Sequence, residues 1–359
     1  MTPPTTEPTS GTATTTSVEV DPLVTELQAA CRGQVVGNAS IAGLTTLRVG
    51  GPARVLVTAE VDEDLAAVGR ACATWQVPFA VVGRGSNLLV GDGGVPGVVV
   101  QLGRGYRGLE FDGSEVRAGA AEPLPVMAVK VADAGYQGFA WACAVPGTLG
   151  GAVRMNAGAH GGEMADHLVE VEVVRLRSGT RETWPVQALG LSYRHSELPD
   201  DAVVVGAALR LLPGDPASIR ADIDRIRTWR RTHQPLNEPN CGSVFTNPPG
   251  DSAGRLIEAA GAKGLRVGGA QVSDRHANFI VTRPGARAED VEALIEQVRA
   301  RVAESAGVTL VTEVARVGLV AVAPEGAGGQ ADAACEVDAP AAGGEAHATG
   351  TGPAGEGSA

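Results

Sequence analysis

Residues 143–163 read CAVPGTLGGAVRMNAGAHGGE and place six glycines among 21 residues. Glycine loses more conformational entropy on folding than any other residue. A folded chain therefore concentrates it where backbone must turn sharply or approach a ligand with no Cβ between. Polar side chains are few here: Thr148, Arg154, Asn156, His160 and Glu163. A second such segment, Gly83-Arg84-Gly85-Ser86-Asn87, follows the apolar run Phe79–Val82. Its successive N–H groups suit an anion nest, with Ser86 and Asn87 as side-chain donors. A tight turn after a strand would read identically. The segment is not the GxGxxG of a Rossmann fold, and the acid expected about twenty residues later is missing. Pro146-Gly147-Thr148 and Gly150-Gly151 could bring backbone against a flat, charged cofactor; the alternative is a buried crossover packing two elements together. Two glycine loops together point to one large ligand, such as one carrying two phosphates.

Composition narrows the class. A chain of 359 residues has room for two or three domains. Its net charge of -12 argues against nucleic acid or an anionic membrane surface as partner. The longest apolar runs are too short to cross a bilayer. The N-terminus has neither the basic nor the apolar region of a signal peptide. Five scattered cysteines without a CxxC spacing indicate reduced thiols in a cytoplasm, and neither a zinc site nor a disulfide framework. His160, His233 and His276 show no metal-ligand spacing. Residues 1–18, rich in Thr and Pro, and 323–359, mostly Ala, Gly and acidic, are expected to be disordered tails.

Between the tails, strand patterns at 54–58, 79–82, 98–102, 116–118, 169–176, 203–212, 278–281 and 309–314 alternate with helical ones. Helices are predicted over 61–75, 126–134, 217–231 and 288–304, the last with Val291, Leu294, Ile295, Val298 and Val302 on one face. The result is an α+β chain. A first domain is expected over 19–213, with two lobes dividing near 105. A second is expected over 214–320, opening with the arginine-rich helix.

Three further residues could carry chemistry. Arg194, in Ser192-Tyr193-Arg194, could grip a carboxylate bidentately or be an ordinary ion-paired arginine. Ser243 follows Gly242, where backbone could approach a substrate, but no Gly-x-Ser-x-Gly elbow surrounds it; a turn serine is the alternative. Glu313 interrupts an apolar run and needs a partner if buried, so a structural ion pair competes with a catalytic role.

Taken in order, these segments resemble the UDP-N-acetylenolpyruvoylglucosamine reductase family. The resemblance is carried by Thr45–Ala53, Val82–Leu89, the 143–163 block, Ser192–Ser196, Cys241–Phe245, Gly268–Ser273, His276–Val281 and Thr312–Val314. It covers about 40–318, and its short connection from Arg194 to Val203 is similar to the compact form of the family. The resemblance implies a two-lobed FAD-binding domain of the vanillyl-alcohol-oxidase type, followed by a C-terminal α/β substrate domain. It implies noncovalent FAD, with NADPH as co-substrate and UDP-N-acetylglucosamine enolpyruvate as substrate, in peptidoglycan precursor synthesis. By the same match Gly83, Arg84, Gly85, Ser86, Asn87, Leu88, Pro146, Gly147, Thr148, Gly150, Gly151, Asn156 and Ala157 would hold the cofactor. Arg194, Ser243 and Glu313 would be catalytic, with Arg194 and Asn247 touching substrate and no metal involved; a monomer is expected. Thr246 stands where many relatives carry lysine, Ala315 where some carry arginine, and His233-Gln234-Pro235 where a basic group is frequent. Two other readings stand beside this one: an oxygen-using oxidase of the same fold, and a non-catalytic flavin- or nucleotide-sugar-binding module. No histidine lies between Gly83 and Gly105 for the covalent flavin such oxidases often carry.

Overall fold

The computed structural model describes residues 21–318; both expected tails lie outside this range. The chain opens with helix α1 (Pro22–Ala30), capped by Asp21, whose Oδ1 accepts from Leu23 N at 3.0 Å. Strands β1 (Gln34–Ser40) and β2 (Pro52–Ala59) follow, then helix α2 (Asp62–Trp75) and strands β3 (Phe79–Val81), β4 (Leu88–Val90) and β5 (Val95–Leu102). Alternation along β2 buries Val55, Val57 and Ala59 against α1 and α2, and Ala53 against Ile41, Val82 and Val90. The sheet runs β1-β2-β5-β3, with β1 antiparallel and the other pairs parallel. Asp64, fully buried, locks the start of α2: its carboxylate accepts from the backbone N–H of Arg32, Gly33, Glu60 and Val61.

A second lobe begins with β6 (Leu109–Asp112) and β7 (Glu115–Gly119), then α3 (Leu124–Asp133) and β8 (Tyr136–Gln137). The short helix α4 (Leu149–Arg154) and the hairpin β9 (Gly158–Ala159) and β10 (Gly162–Glu163) fold the glycine-rich block. Strands β11 (Leu168–Arg175), β12 (Arg181–Pro185), β13 (Ala202–Arg210) and β14 (Leu212–Pro213) precede helix α5 (Pro216–His233). The antiparallel sheet is ordered β12-β11-β13-β7-β6, and its central strand β13 is buried from Ala202 to Leu209.

The remaining unit comprises α6 (Ala253–Ala259), β15 (Arg266–Val267), β16 (Ala270–Val272), β17 (Ile280–Thr282), α7 (Ala288–Ala306) and β18 (Ala315–Val317). Helix α7 buries the five residues expected, plus Ala288, and ends on Gly307 in the left-handed region at φ 67°. This unit is joined to the first lobe. Its core includes Leu47, Val49 and Leu89, and β18 pairs in parallel with β4. The carboxylate of Asp92 accepts from Ala288 N and Glu289 N at 2.9 and 3.0 Å, capping α7 from across the chain.

Two expectations change. Helix 217–231 does not open the C-terminal unit: Ile219, Ile223 and Ile226 of α5 pack into the core of the second lobe, among Val131, Cys143 and Ala144. Nor is 309–314 a strand. Thr246 N donates to Val311 O, Glu313 N to Val244 O, and Asn87 Nδ2 to Glu313 O, so no repeating ladder forms; the strand falls at Ala315–Val317.

Candidate functional site

The two glycine loops meet. A Cβ on Gly83 would sit 2.7 Å from Thr148 Oγ1, and one on Gly147 would sit 3.4 Å from Ser86 Oγ. Gly85 takes φ +57° with its Cα face against Leu44 O, where a Cβ would come within 2.2 Å. Only glycine satisfies that position. Gly83, Arg84, Pro146 and Gly151 are exposed along the seam, with Ser86, Gly147 and Thr148 half-buried beside them. Thr148 Oγ1 accepts from Gly151 N and opens α4. The seam is thus lined by exposed backbone and two hydroxyls and is free of carboxylates, a set that fits an anionic, two-phosphate cofactor.

Other residues expected at the cofactor serve as braces. Asn156 is fully buried at φ 38°; its Nδ2 donates to Ser192 O and its Oδ1 accepts from Ala165 N, both at 2.9 Å. Asn87 donates to Glu313 O at 3.0 Å and its carbonyl accepts from Ala315 N at 3.0 Å, while Leu88 begins the pairing of β4 with β18. Gly150 is a packing contact, 3.0 Å from the Ala120 Cβ by the same test. Ala157 is half-buried and bonded through its backbone to Ala152 and Met164.

Arg194 and Glu313, 119 residues apart, form an ion pair: Arg194 Nε donates to Glu313 Oε1 at 3.0 Å. A second guanidinium nitrogen donates to Gly158 O at 2.7 Å, and the cation lies over the Tyr193 ring, 4.9 Å from its centroid. The side chains are only 18% and 17% exposed, so solvent screens the pair little. Burial holds the Glu313 carboxyl above the usual carboxylate range, although the charge and hydrogen bond of Arg194 pull it down. Arg194 itself has φ +59°, unusual for a non-glycine residue, on the turn that Asn156 braces.

Ser243 reaches this pair through the backbone. Glu313 N donates to Val244 O, one residue from Ser243, and Asn278 clamps Phe245 through both amide atoms. Gly242 at φ +78° has open space where a Cβ would be, leaving the approach to Ser243 clear. Ser243 is half-buried, and among the described residues its hydroxyl takes no hydrogen-bond partner. Asn247 is exposed and its Oδ1 accepts from Ala253 N at 3.1 Å, so its NH₂ is what remains for a ligand.

Sequence reasoning missed Arg230. It is half-buried, donates to Gln234 Oε1 at 2.7 Å, is held below the usual arginine range by burial, and forms no ion pair among the described residues. His160 stands nearby, its imidazole pulled down by burial and then by the Arg230 charge. The signal was present in helical spacing: Ile219, Ile223 and Ile226 continue to 230 and 233, where the stripe turns from apolar to basic.

A cavity of about 550 Å³ elsewhere, between the start of α2 and the second sheet, contains none of these residues. Within it Arg181 bridges Asp62 and Glu172 at 2.9 and 2.8 Å, and Arg117 pairs with Glu170 at 3.0 Å.

Comparison with known proteins agrees with this division. Residues 53–183 match the family model described as FAD binding domain, and 234–317 match that of the UDP-N-acetylenolpyruvoylglucosamine reductase C-terminal domain. The second match begins just after α5, where packing separates the units. The UDP-N-acetylenolpyruvoylglucosamine reductase of Methylorubrum populi is 44% identical over 301 residues, covering 83% of this chain and 97% of that protein. That of Heliobacterium modesticaldum is 44% identical over 297 residues, covering 82% and 94%. The crystal structure of the Thermus caldophilus UDP-N-acetylenolpyruvylglucosamine reductase superposes with a TM-score of 0.69 at 38% identity, covering 79% of this chain and 98% of that one. With its α+β fold and two-lobed FAD-binding domain, the chain belongs to the UDP-N-acetylenolpyruvoylglucosamine reductase family of oxidoreductases.

Proposed function

We propose that this enzyme uses NADPH and noncovalent FAD to reduce UDP-N-acetylglucosamine enolpyruvate to UDP-N-acetylmuramate, a step in peptidoglycan precursor synthesis. The observation that carries the reading is the buried Arg194–Glu313 pair, assembled beside Ser243 from three distant segments. Gly83–Ser86 and Pro146–Thr148 with Gly151 would cradle the cofactor's phosphates. When bound there, FAD would supply two-electron hydride chemistry between NADPH and the enolpyruvyl methylene carbon.

The protein's own part concerns the charge that this addition creates. Negative charge grows on the carbon bearing the carboxylate and spreads into that group as an enolate. Arg194, always protonated, neutralises it from a site preset by Gly158 O and Glu313. Ser243 donates its hydroxyl proton to the carbanionic carbon; a hydroxyl is a weak acid in water but sufficient against so strong a base when prepositioned. Glu313, raised by burial, supports the intermediate through hydrogen bonding and helps Ser243 recover a proton. Asn247 contacts substrate through its NH₂, and the half-buried Arg230 offers a cation for the substrate's diphosphate.

The test is an anaerobic spectrum of the holoenzyme. Flavin absorbance should bleach with NADPH and return with the enolpyruvyl sugar nucleotide. Recovery with oxygen alone would replace this reading by an oxidase. A protein that stays colourless after flavin reconstitution would remove it.

A further inference from the structure

The last turn of α5 carries an aromatic corner that the chemistry above leaves unused. Trp229 keeps 42% of its surface exposed, whereas Trp141 is 4% exposed and Trp75 and Trp184 are half-buried. Its indole lies against His233, ring centroids 4.5 Å apart and planes 16° from parallel. His160 meets it from the glycine hairpin at 5.1 Å and 87°. The His233 imidazole is fixed by backbone. His233 Nδ1 bonds Trp229 O at 2.8 Å. His160 sits at φ 51°, two residues beyond the Gly158 carbonyl that holds Arg194. From the C-terminal unit, Arg275 donates to Arg231 O at 3.0 Å and closes the corner on its third side.

A single exposed indole needs no explanation by itself. This one is held in place by two rings, touches the hairpin whose Gly158 carbonyl accepts from Arg194, and is followed by a half-buried arginine that forms no ion pair among the described residues. A flat, rigid ring beside a cation whose remaining N–H groups are open matches the two ends of a nucleoside diphosphate: base on indole, phosphates on the guanidinium nitrogens that Gln234 leaves unused.

We propose that Trp229, backed by His233 and His160, is the stacking platform for the base of a nucleotide ligand, with Arg230 facing its diphosphate. The inference rests on the function proposed above, within which two ligands share this chemistry, the UDP-sugar and NADPH. Rapid-mixing of holoenzyme with each ligand separates them. Trp229→Ala should raise the apparent Kd of one ligand about tenfold, the size of a lost base–aromatic stack. It should leave the other within about twofold and both saturating rates near wild type. Trp229→Phe should restore most of the loss, whereas Trp229→Leu, which keeps bulk without a ring face, should not. The affected half-reaction names the ligand. Quenching of tryptophan fluorescence by UDP or by NADP⁺ alone, lost in Trp229→Phe, should name the same one. Unchanged Kd values in both Ala and Leu variants, with wild type turning over normally, would overturn the platform alone. A wild type inert in both half-reactions would overturn the function beneath it.

Discussion

Replacing Arg194 with lysine separates the shape of this cation from its charge. The guanidinium serves two acceptors at once, Glu313 Oε1 at 3.0 Å and Gly158 O at 2.7 Å. A lysine ammonium is a single point on a longer, looser stem and cannot span both at that spacing. The backbone at φ +59° costs either residue alike, so the comparison isolates the head group. One hydrogen bond to a charged group, in a pair only 18% and 17% exposed, is worth about 1.5–3 kcal/mol. If that bond matters while the enolate forms, flavin reoxidation by the enolpyruvyl substrate should slow about 10- to 150-fold. Flavin reduction by NADPH, which creates no such charge near Arg194, should stay within about twofold of wild type. Single-turnover absorbance of the two half-reactions, measured separately, is the assay. Equal slowing of both would show that Arg194 supports the cofactor or the fold. An unchanged reoxidation rate would show that Arg194 does not stabilise the developing charge.

Three other perturbations have defined outcomes. Ser243→Ala should bleach normally with NADPH yet fail to recover with the enolpyruvyl sugar, as followed by flavin absorbance; recovery at the wild-type rate would remove Ser243 as the proton donor. Gly85→Ala forces a Cβ to within 2.2 Å of Leu44 O at φ +57°, so a stability loss of about 1–3 kcal/mol should lower the melting temperature and loosen FAD retention together. Glu313 is raised in the folded state by burial, so the native protein holds its proton more tightly than the unfolded chain does. That contribution is fully present below the unfolded value and is lost as pH rises through the higher folded one. Melting temperatures across this window should slope downward in wild type relative to Glu313→Gln, and parallel curves would refute the shift.

Helices with a strong apolar stripe were legible in the sequence. The buried face of α7 was identified residue by residue, because its periodicity is local. The Gly83–Asn87 loop was legible as a loop, whereas the 143–163 block, read the same way, folds Gly150 and Gly151 into α4 and Gly158–Glu163 into the β9–β10 hairpin. What each residue does within them was not legible. Gly150 packs on Ala120, Asn156 braces the Ser192 turn, and Asn87 holds Glu313. These roles depend on partners brought close only by the finished fold. The membership of α5 was hidden for the same reason: an amphipathic stripe announces a core without saying which one. The run 309–314 reads as a strand because its residues suit one, yet its hydrogen bonds are divided among separate segments. The resemblance marked Arg194 and Glu313 separately as catalytic, and charge pattern alone left both as ordinary ion-pair candidates; that they pair with each other is visible only in the folded chain.

The pairing of β18 with β4, and the bond from Asn87 to Glu313 across 226 residues, also bear on the order in which the protein is made. Synthesis proceeds from the N-terminus, so Gly83–Asn87 leaves the ribosome long before the segment that holds it in place. The nascent first and second lobes can bring Gly83 to Thr148, but Asn87 and Leu88 have no partner until Glu313 and Ala315 emerge. Under the proposed function, stable capture of the cofactor at this seam is therefore a late event in synthesis. A chain stalled or cleaved shortly before Glu313 would contain every residue of the phosphate seam and still lack the strand that fixes it.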